Sequence, residues 1–366
     1  MAKRLIISML TLLCYCTSAW ALDQDGEGYY LIGLVQDLKE FAILVNNGTT
    51  SANAKLTADI NLAGDADNQW TPIGTNANRY NGTFDGQGFI IKNLFYKQQV
   101  QGVGLFGFAN NSAYIKNVRV EGTIDNSTDG AGAGNGGTQT CAGGILGMSY
   151  GATVLNCSFS GSVISFSNVG GIVGWGTATI VNCYNEGTVM FHSTRNQTGG
   201  GIHGFDGSPQ LINCYNVGDV INNGGSTFAI GSVSYSGSIS NCYSRSGCVQ
   251  NGNGASWIDA GKYGTAMSLD DMKNEGFVTT LNTNVASLLA TYPDISEWVQ
   301  DPVTNLPTLK IFADAAILTD IGNLQAKKGK VTIDNEAWYS LDGRRIIGKP
   351  SMKGIYVNNC KKIVIK

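Results

Sequence analysis

Apolar and polar positions along the middle of the chain recur in one short cassette. A Gly-x-x-Gly tetrad with apolar residues inside it comes first, and an Asn followed by a small apolar residue comes eleven to thirteen residues after the tetrad starts. The copies are Gly104-Leu105-Phe106-Gly107 with Asn117-Val118, Gly144-Ile145-Leu146-Gly147 with Asn156-Cys157, and Gly171-Ile172-Val173-Gly174 with Asn182-Cys183. Gly201-Ile202-His203-Gly204 with Asn213-Cys214 follows, then a worn copy, Phe228-Ala229-Ile230-Gly231 with Asn241-Cys242. Counting a partial copy at Asn93-Leu94, successive Asn positions fall 24 to 39 residues apart, a period that marks stacked repeats. An apolar residue stands two before each Asn (Ile91, Ile115, Val154, Ile180, Leu211, Ile239), and Gly122, Gly161, Gly187, Gly218 and Gly247 lie beyond it. Short apolar strands between fixed Gly and Asn positions predict an all-β chain, with a parallel β-helix-like solenoid over residues 91–254. Asn tolerates the left-handed region, so the Asn column is expected to form an amide ladder in a turn, a structural role.

The flanks read differently. Leu34, Leu38, Phe41, Ala42 and Val45 share a face at helical spacing, which predicts a helix over 29–48 stopped by Gly48 and covering the first rung. Residues 22–90 are thus a capping helix and first coils. Residues 255–312 break the pattern: a helical stretch from Leu269 to Phe277, then Pro293, Trp298, Pro302 and Pro307, predict an irregular closing cap. A linker is expected over 313–330. From 331 to 366, strand-like runs around an Asp342-Gly343 turn predict a small C-terminal antiparallel β module.

Residues 1–21 read as a signal peptide: Lys3 and Arg4, an apolar Leu5 to Leu13, and Ala19-Trp20-Ala21 as cleavage site. That implies a secreted or outer-surface location, and no run elsewhere is long enough for a transmembrane helix. Forty-nine Gly and 14% charged residues fit closely stacked strands better than helices. From Leu22 to Lys310 there are 12 Lys+Arg against 22 Asp+Glu, and from Ile311 onward 10 against 5. An acidic body argues against nucleic acid as a partner, and the basic tail points to a separate module. Cys157, Cys183, Cys214 and Cys242 occupy one slot of four successive repeats, which predicts a stacked ladder of buried thiols rather than disulfides. Without a Cys-x-x-Cys pair, and with only His192 and His203, no metal site is expected, and no cofactor.

The tetrads, with Trp70-Thr71-Pro72-Ile73-Gly74 and Gly82-Thr83-Phe84-Asp85-Gly86-Gln87-Gly88 ahead of them and Leu306-Pro307-Thr308-Leu309 closing the region, resemble GLUG-motif repeat proteins over residues 30–312. Such repeats occur in surface adhesins and beside the catalytic domain of IgA-cleaving metallopeptidases. The tail Trp338-Tyr339-Ser340-Leu341-Asp342-Gly343-Arg344-Arg345-Ile346, with Lys353-Gly354-Ile355-Tyr356-Val357, resembles a C-terminal sorting domain of the type IX secretion system. That resemblance implies a Gram-negative bacterium and contact between the tail and the secretion machinery. Cys360 departs from it, standing where such tails carry Gly.

Chemistry is harder to find. Neither histidine belongs to a His-Glu-x-x-His helix, so the peptidase activity is not carried over. Glycan cleavage would want paired carboxylates; Glu186, Asp206 and Asp219, near His203 and Arg195, are the candidates, and solvated turn positions are their simpler reading. No catalytic residue is assigned. The sharpest feature is a column directly after the cysteines, Tyr184, Tyr215 and Tyr243, with Ser158 and Arg119 in the same slot. If the cysteines point in, these point out, as a stack that stiffens the sheet or as a binding stripe flanked by Asn185 and Asn216. The expected function is a non-catalytic adhesin or ligand-binding protein for host or matrix glycans or proteins, using this stripe and the 125–137 insertion. A β-helix polysaccharide-degrading enzyme and a surface-layer spacer are the alternatives.

Overall fold

The computed structural model describes residues 22–127, 140–191, 198–205, 207–222, 226–232, 237–251, 256–257, 264–327, 338–340, 345–346, 354–358 and 361–365. The signal-peptide reading and most of the 125–137 insertion lie outside them. The described residues are mostly parallel β-sheet with few helices, solenoid-like, and form no closed barrel. Three parallel sheets of ten, eleven and six strands wind together among the described residues. In the ten-stranded sheet, the register places Phe84, Ile115, Val154, Ile180, Leu211 and Ile239 in one column. The first five of these are fully buried, so each coil adds one apolar layer to a continuous core.

The tetrads serve this stacking through close approach. A Cβ on Gly171 would lie 2.4 Å from Cγ of Asn185, and one on Gly201 2.3 Å from Cγ of Asn216. The leading glycine therefore makes room for a side chain crossing the narrow core from the eleven-stranded sheet.

Helix α1 runs over Val35–Asn46, shorter than the 29–48 expected. Tyr30–Ile32 is instead a parallel strand paired with Ala54–Leu56. The helix starts where Asp37 Oδ2 accepts the N–H groups of Gly33 and Leu34, at 3.0 and 2.8 Å. Leu34, as the extended residue before the first turn, is 62% exposed and leaves the buried face to Leu38, Phe41, Ala42 and Val45. Phe41 meets the rings of Tyr30, Tyr80 and Phe84, each with centroids 6.1 Å apart, on the innermost rungs.

Two further expectations are corrected. Asn93 does not belong to the Asn column. It sits at a register irregularity of the strand Ile90–Lys97 and bonds Asn61 at 2.9 Å. Below Asn117 the column continues to Asp85. The expected linker over 313–330 is, through Lys327, part of a helix, Lys310–Lys327.

The segment from Gly264 onward lies along the flank of the solenoid. Thr265–Met267 adds a last rung to the eleven-stranded sheet. Then come α2 (Leu269–Met272), α3 (Glu275–Leu288), an antiparallel pair Trp298–Gln300 with Pro307–Leu309, and α4 (Lys310–Lys327). This strap runs back across earlier coils until Lys116 meets Asp294 at 2.8 Å. The tail contributes a four-stranded antiparallel sheet, Arg345–Ile346, Trp338–Ser340, Gly354–Asn358 and Lys361–Ile365 in spatial order. The start of the expected module, 331–337, and the Asp342-Gly343 turn lie outside the described residues.

Candidate functional site

The site expected from sequence is a corner of the solenoid, and the strap covers it. Asn117, Asn156, Asn182, Asn213 and Asn241 all take positive φ, between 52° and 59°, which turns the chain from one sheet into the next. Asn117 donates to Asp85, Asn156 to Asn117, Asn182 to Asn156 and Asn213 to Asn182, at 2.8 to 2.9 Å. The second amide hydrogens of Asn156, Asn182 and Asn213 go to the strap carbonyls of Asp294, Ser296 and Leu281.

After the corner, Cys157, Cys183, Cys214 and Cys242 point inward, free and buried. The N–H of Cys157 lies 3.3 Å from Sγ of Cys183, and the N–H of Cys183 lies 3.4 Å from Sγ of Cys214. Burial pushes the thiols of Cys183 and Cys242 well above their ordinary range. Cys141 and Cys248 are also free and buried, outside this ladder.

The next slot holds Arg119, Ser158, Tyr184, Tyr215 and Tyr243 in register, on the outer side of the sheet. They are not an open stripe. Tyr184 and Tyr215 are 2% and 0% exposed, and Tyr243 is half-buried. Their rings stack with centroids 5.1 Å apart and planes 8° apart for Tyr184 and Tyr215. Trp298, Phe277 and Phe312 of the strap close over them, and Phe277 also meets Tyr243. The Tyr215 hydroxyl donates to the Pro307 carbonyl, and the Tyr184 hydroxyl pairs with Thr308 Oγ1 at 3.0 Å. Burial, with Glu186 adding to it, pushes the Tyr184 phenol up to about 12. Arg119 is half-buried, its guanidinium 5.6 Å from the Phe312 ring.

Asn185 and Asn216 do not flank a surface either. Both are fully buried and form a second amide ladder, Asn185 to Asn216 at 2.8 Å, with bonds to the carbonyls of Gly187 and Gly218. Being one residue past the outward tyrosines, they point into the core. The sequence did carry a sign of the covered corner: Leu155, Val181 and Ile212, each just before an Asn, face outward yet are apolar. Leu155 and Val181 are fully buried beneath the strap. An apolar residue on both sides of the corner asks for a cover.

Among the described residues, the enzymatic candidates are not brought together as a carboxylate pair. Asp219 is paired with Arg245. His203 is fully buried, its Nε2 2.8 Å from the carbonyl of Gly176. Glu186 is exposed beside the tyrosine row, and Asp206, Arg195 and His192 lie outside the described residues. Among the described residues there is no group of three or more His, Cys, Asp or Glu that could hold a metal ion.

A different row remains partly open. Phe108, Met148, Trp175 and Phe205 each follow the last glycine of a tetrad and stack in register. Phe108, Met148 and buried Cys141 form a small cluster apart from the main core, with Tyr150 and Trp175 packed against it. Trp175, Phe205 and Tyr150 are half-buried. Tyr150 and Trp175 meet edge to face, centroids 5.6 Å apart, and the Arg79 guanidinium lies 3.6 Å over the Tyr150 ring. The recurring bulky residue after Gly107, Gly147, Gly174 and Gly204 was the signal for this row.

Fold and faces together define the class: an all-β, mostly parallel solenoid, clasped along one corner by its own C-terminal strap. Comparison with protein-family models and with curated proteins finds no match for this chain.

Proposed function

We propose that this is a secreted or surface-displayed bacterial repeat protein of GLUG type that binds a ligand without transforming it. In this reading α1 caps the first rung of a parallel β-helix-like stack, and the four-stranded tail is a sorting module that engages the secretion machinery. The observation that supports binding is the half-buried aromatic group of Tyr150, Trp175 and Phe205, left uncovered by the strap on a stacked, closely packed scaffold. Solenoids present extended faces of this kind to partners, and a rigid aromatic platform loses little entropy on binding. The ligand class is host or matrix glycans or proteins. The glycan-cleaving alternative wants two carboxylates across a groove, and the pairing of Asp219 with Arg245 takes one of its candidates away.

The test is retention of the purified chain on immobilised host glycans, mucin and matrix proteins. Retention without turnover of the ligand supports the reading. Release of shortened glycan would make the protein an enzyme, and no retention on any surface would leave the spacer role in its place.

A further inference from the structure

We infer that the Arg79–Tyr150–Trp175 group is a subsite for an anionic saccharide, one bearing carboxylate or sulfate. The inference rests on the binding function proposed above and gives it a place and a ligand chemistry. Two features converge on it. Arg79 is half-buried, and its polar bonds go to the carbonyl and Oδ1 of Asn76, at 3.3 and 2.9 Å. It has no carboxylate partner among the described residues, so its charge is not neutralised within an otherwise acidic body. The indole N–H of Trp175 is turned into the protein, without an acceptor there, so the ring rather than its N–H faces a ligand. The Tyr150 and Trp175 rings, set edge to face, give an apolar surface with a step in it, against which the C–H face of a pyranose ring can lie.

Charge complementarity selects the occupant. A neutral sugar would use the rings but leave Arg79 unpaired. A uronate or sulfated sugar supplies the anion the guanidinium lacks, in the bidentate geometry arginine favours. Salt screens the exposed part of this attraction, so affinity should fall as ionic strength rises.

The experiment is calorimetric titration of the full chain, backed by tryptophan fluorescence, with oligogalacturonate and heparin oligosaccharides against neutral cello-oligosaccharide and dextran. The anionic saccharides should bind, and the neutral ones about tenfold or more weakly. Arg79→Gln should abolish that preference and flatten the salt dependence, whereas Lys92→Gln, an equal loss of charge on another face, should change neither. Trp175→Ala should lose binding, and Trp175→Phe should keep part of it, since a smaller aromatic ring stays in place. Circular dichroism on each variant checks that the coils are intact. Equal binding of neutral and anionic saccharides, an inert Arg79→Gln, or no binding of any anionic saccharide overturns the inference. Retention on some other ligand that ignores Trp175→Ala leaves the binding function standing and removes only this subsite.

Discussion

The indole N–H of Trp298 donates to Oδ1 of Asn182 at 2.6 Å, and that contact completes the amide. Oδ1 also accepts from Asn213, while Nδ2 donates to Asn156 and to the Ser296 carbonyl. Both donors and both lone pairs of a fully buried side chain are therefore used. Two bonds run along the column and two to the strap, so ladder and strap are one network rather than a stack with a cover laid on it. Fully satisfied buried networks of this kind rigidify and specify a single arrangement.

Trp298→Ala removes a fully buried ring, its bond to Asn182 and its contacts with Tyr184 and Tyr215. A loss of about 3–5 kcal/mol is expected from a cavity of that size, measured by urea denaturation. Hydrogen exchange at Tyr184, Tyr215 and Asn182 should rise in the same variant. A loss below about 1 kcal/mol would mean the strap contributes little to the fold.

Asn182→Ala and Asn182→Gly separate the two roles of the ladder residue. Both strand the partners of the amide, which costs on the order of 3 kcal/mol for groups buried this deeply. The alanine also meets a φ of 58°, a region that costs a side-chain-bearing residue about 1–2 kcal/mol and glycine almost nothing. Asn182→Gly should therefore be the more stable of the two by about 1 kcal/mol in equilibrium unfolding. The reverse order would show that backbone strain does not select Asn here.

The thiol ladder should be silent to alkylating reagents. Cys157, Cys183 and Cys214 are all 0% exposed, so a reagent cannot reach them in the folded chain. Iodoacetamide on the native protein should leave these three unmodified by mass spectrometry, with full labelling only in denaturant. Labelling at the native rate of an exposed thiol would contradict the inward orientation.

Alkaline pH should unfold the chain. The Tyr184 phenol ionises near 10 in an unfolded chain and is pushed up to about 12 by burial in the folded one, and Tyr215 moves the same way. Between these values the folded state holds protons the unfolded state has released, so stability is unchanged below pH about 10 and falls as pH rises toward 12. Each tyrosine contributes up to about 1.4 kcal/mol per pH unit over that window. Tyr184→Phe should shift the alkaline transition upward, read by circular dichroism; an unmoved transition would locate the sensitivity elsewhere.

Much of the repeat is legible in the amino-acid order alone. Gly-x-x-Gly followed by Asn-Cys-Tyr specifies a turn residue, an inward thiol and an outward ring, because strand side chains alternate and Asn accepts positive φ. Column membership of Tyr184, Tyr215 and Tyr243 follows from that spacing alone. Asn93 shows where spacing misleads: its neighbours imitate the cassette, but pairing across the strand puts it at a register irregularity, with Asp85 taking the place beneath Asn117.

Local pattern thus settles which way each side chain leaves its own strand, since that depends only on neighbouring φ and ψ. It does not settle what comes to lie over the outer face, because that depends on residues such as Trp298, which is 116 positions from Asn182. The tyrosine row became a buried seam because the strap folds back onto it and brings enough apolar surface to dry it. The row of Phe108, Met148, Trp175 and Phe205 stayed partly open because the strap follows the other corner. Which of two outward aromatic columns meets solvent was decided by where the C-terminal segment packs, and only the assembled fold contains that choice.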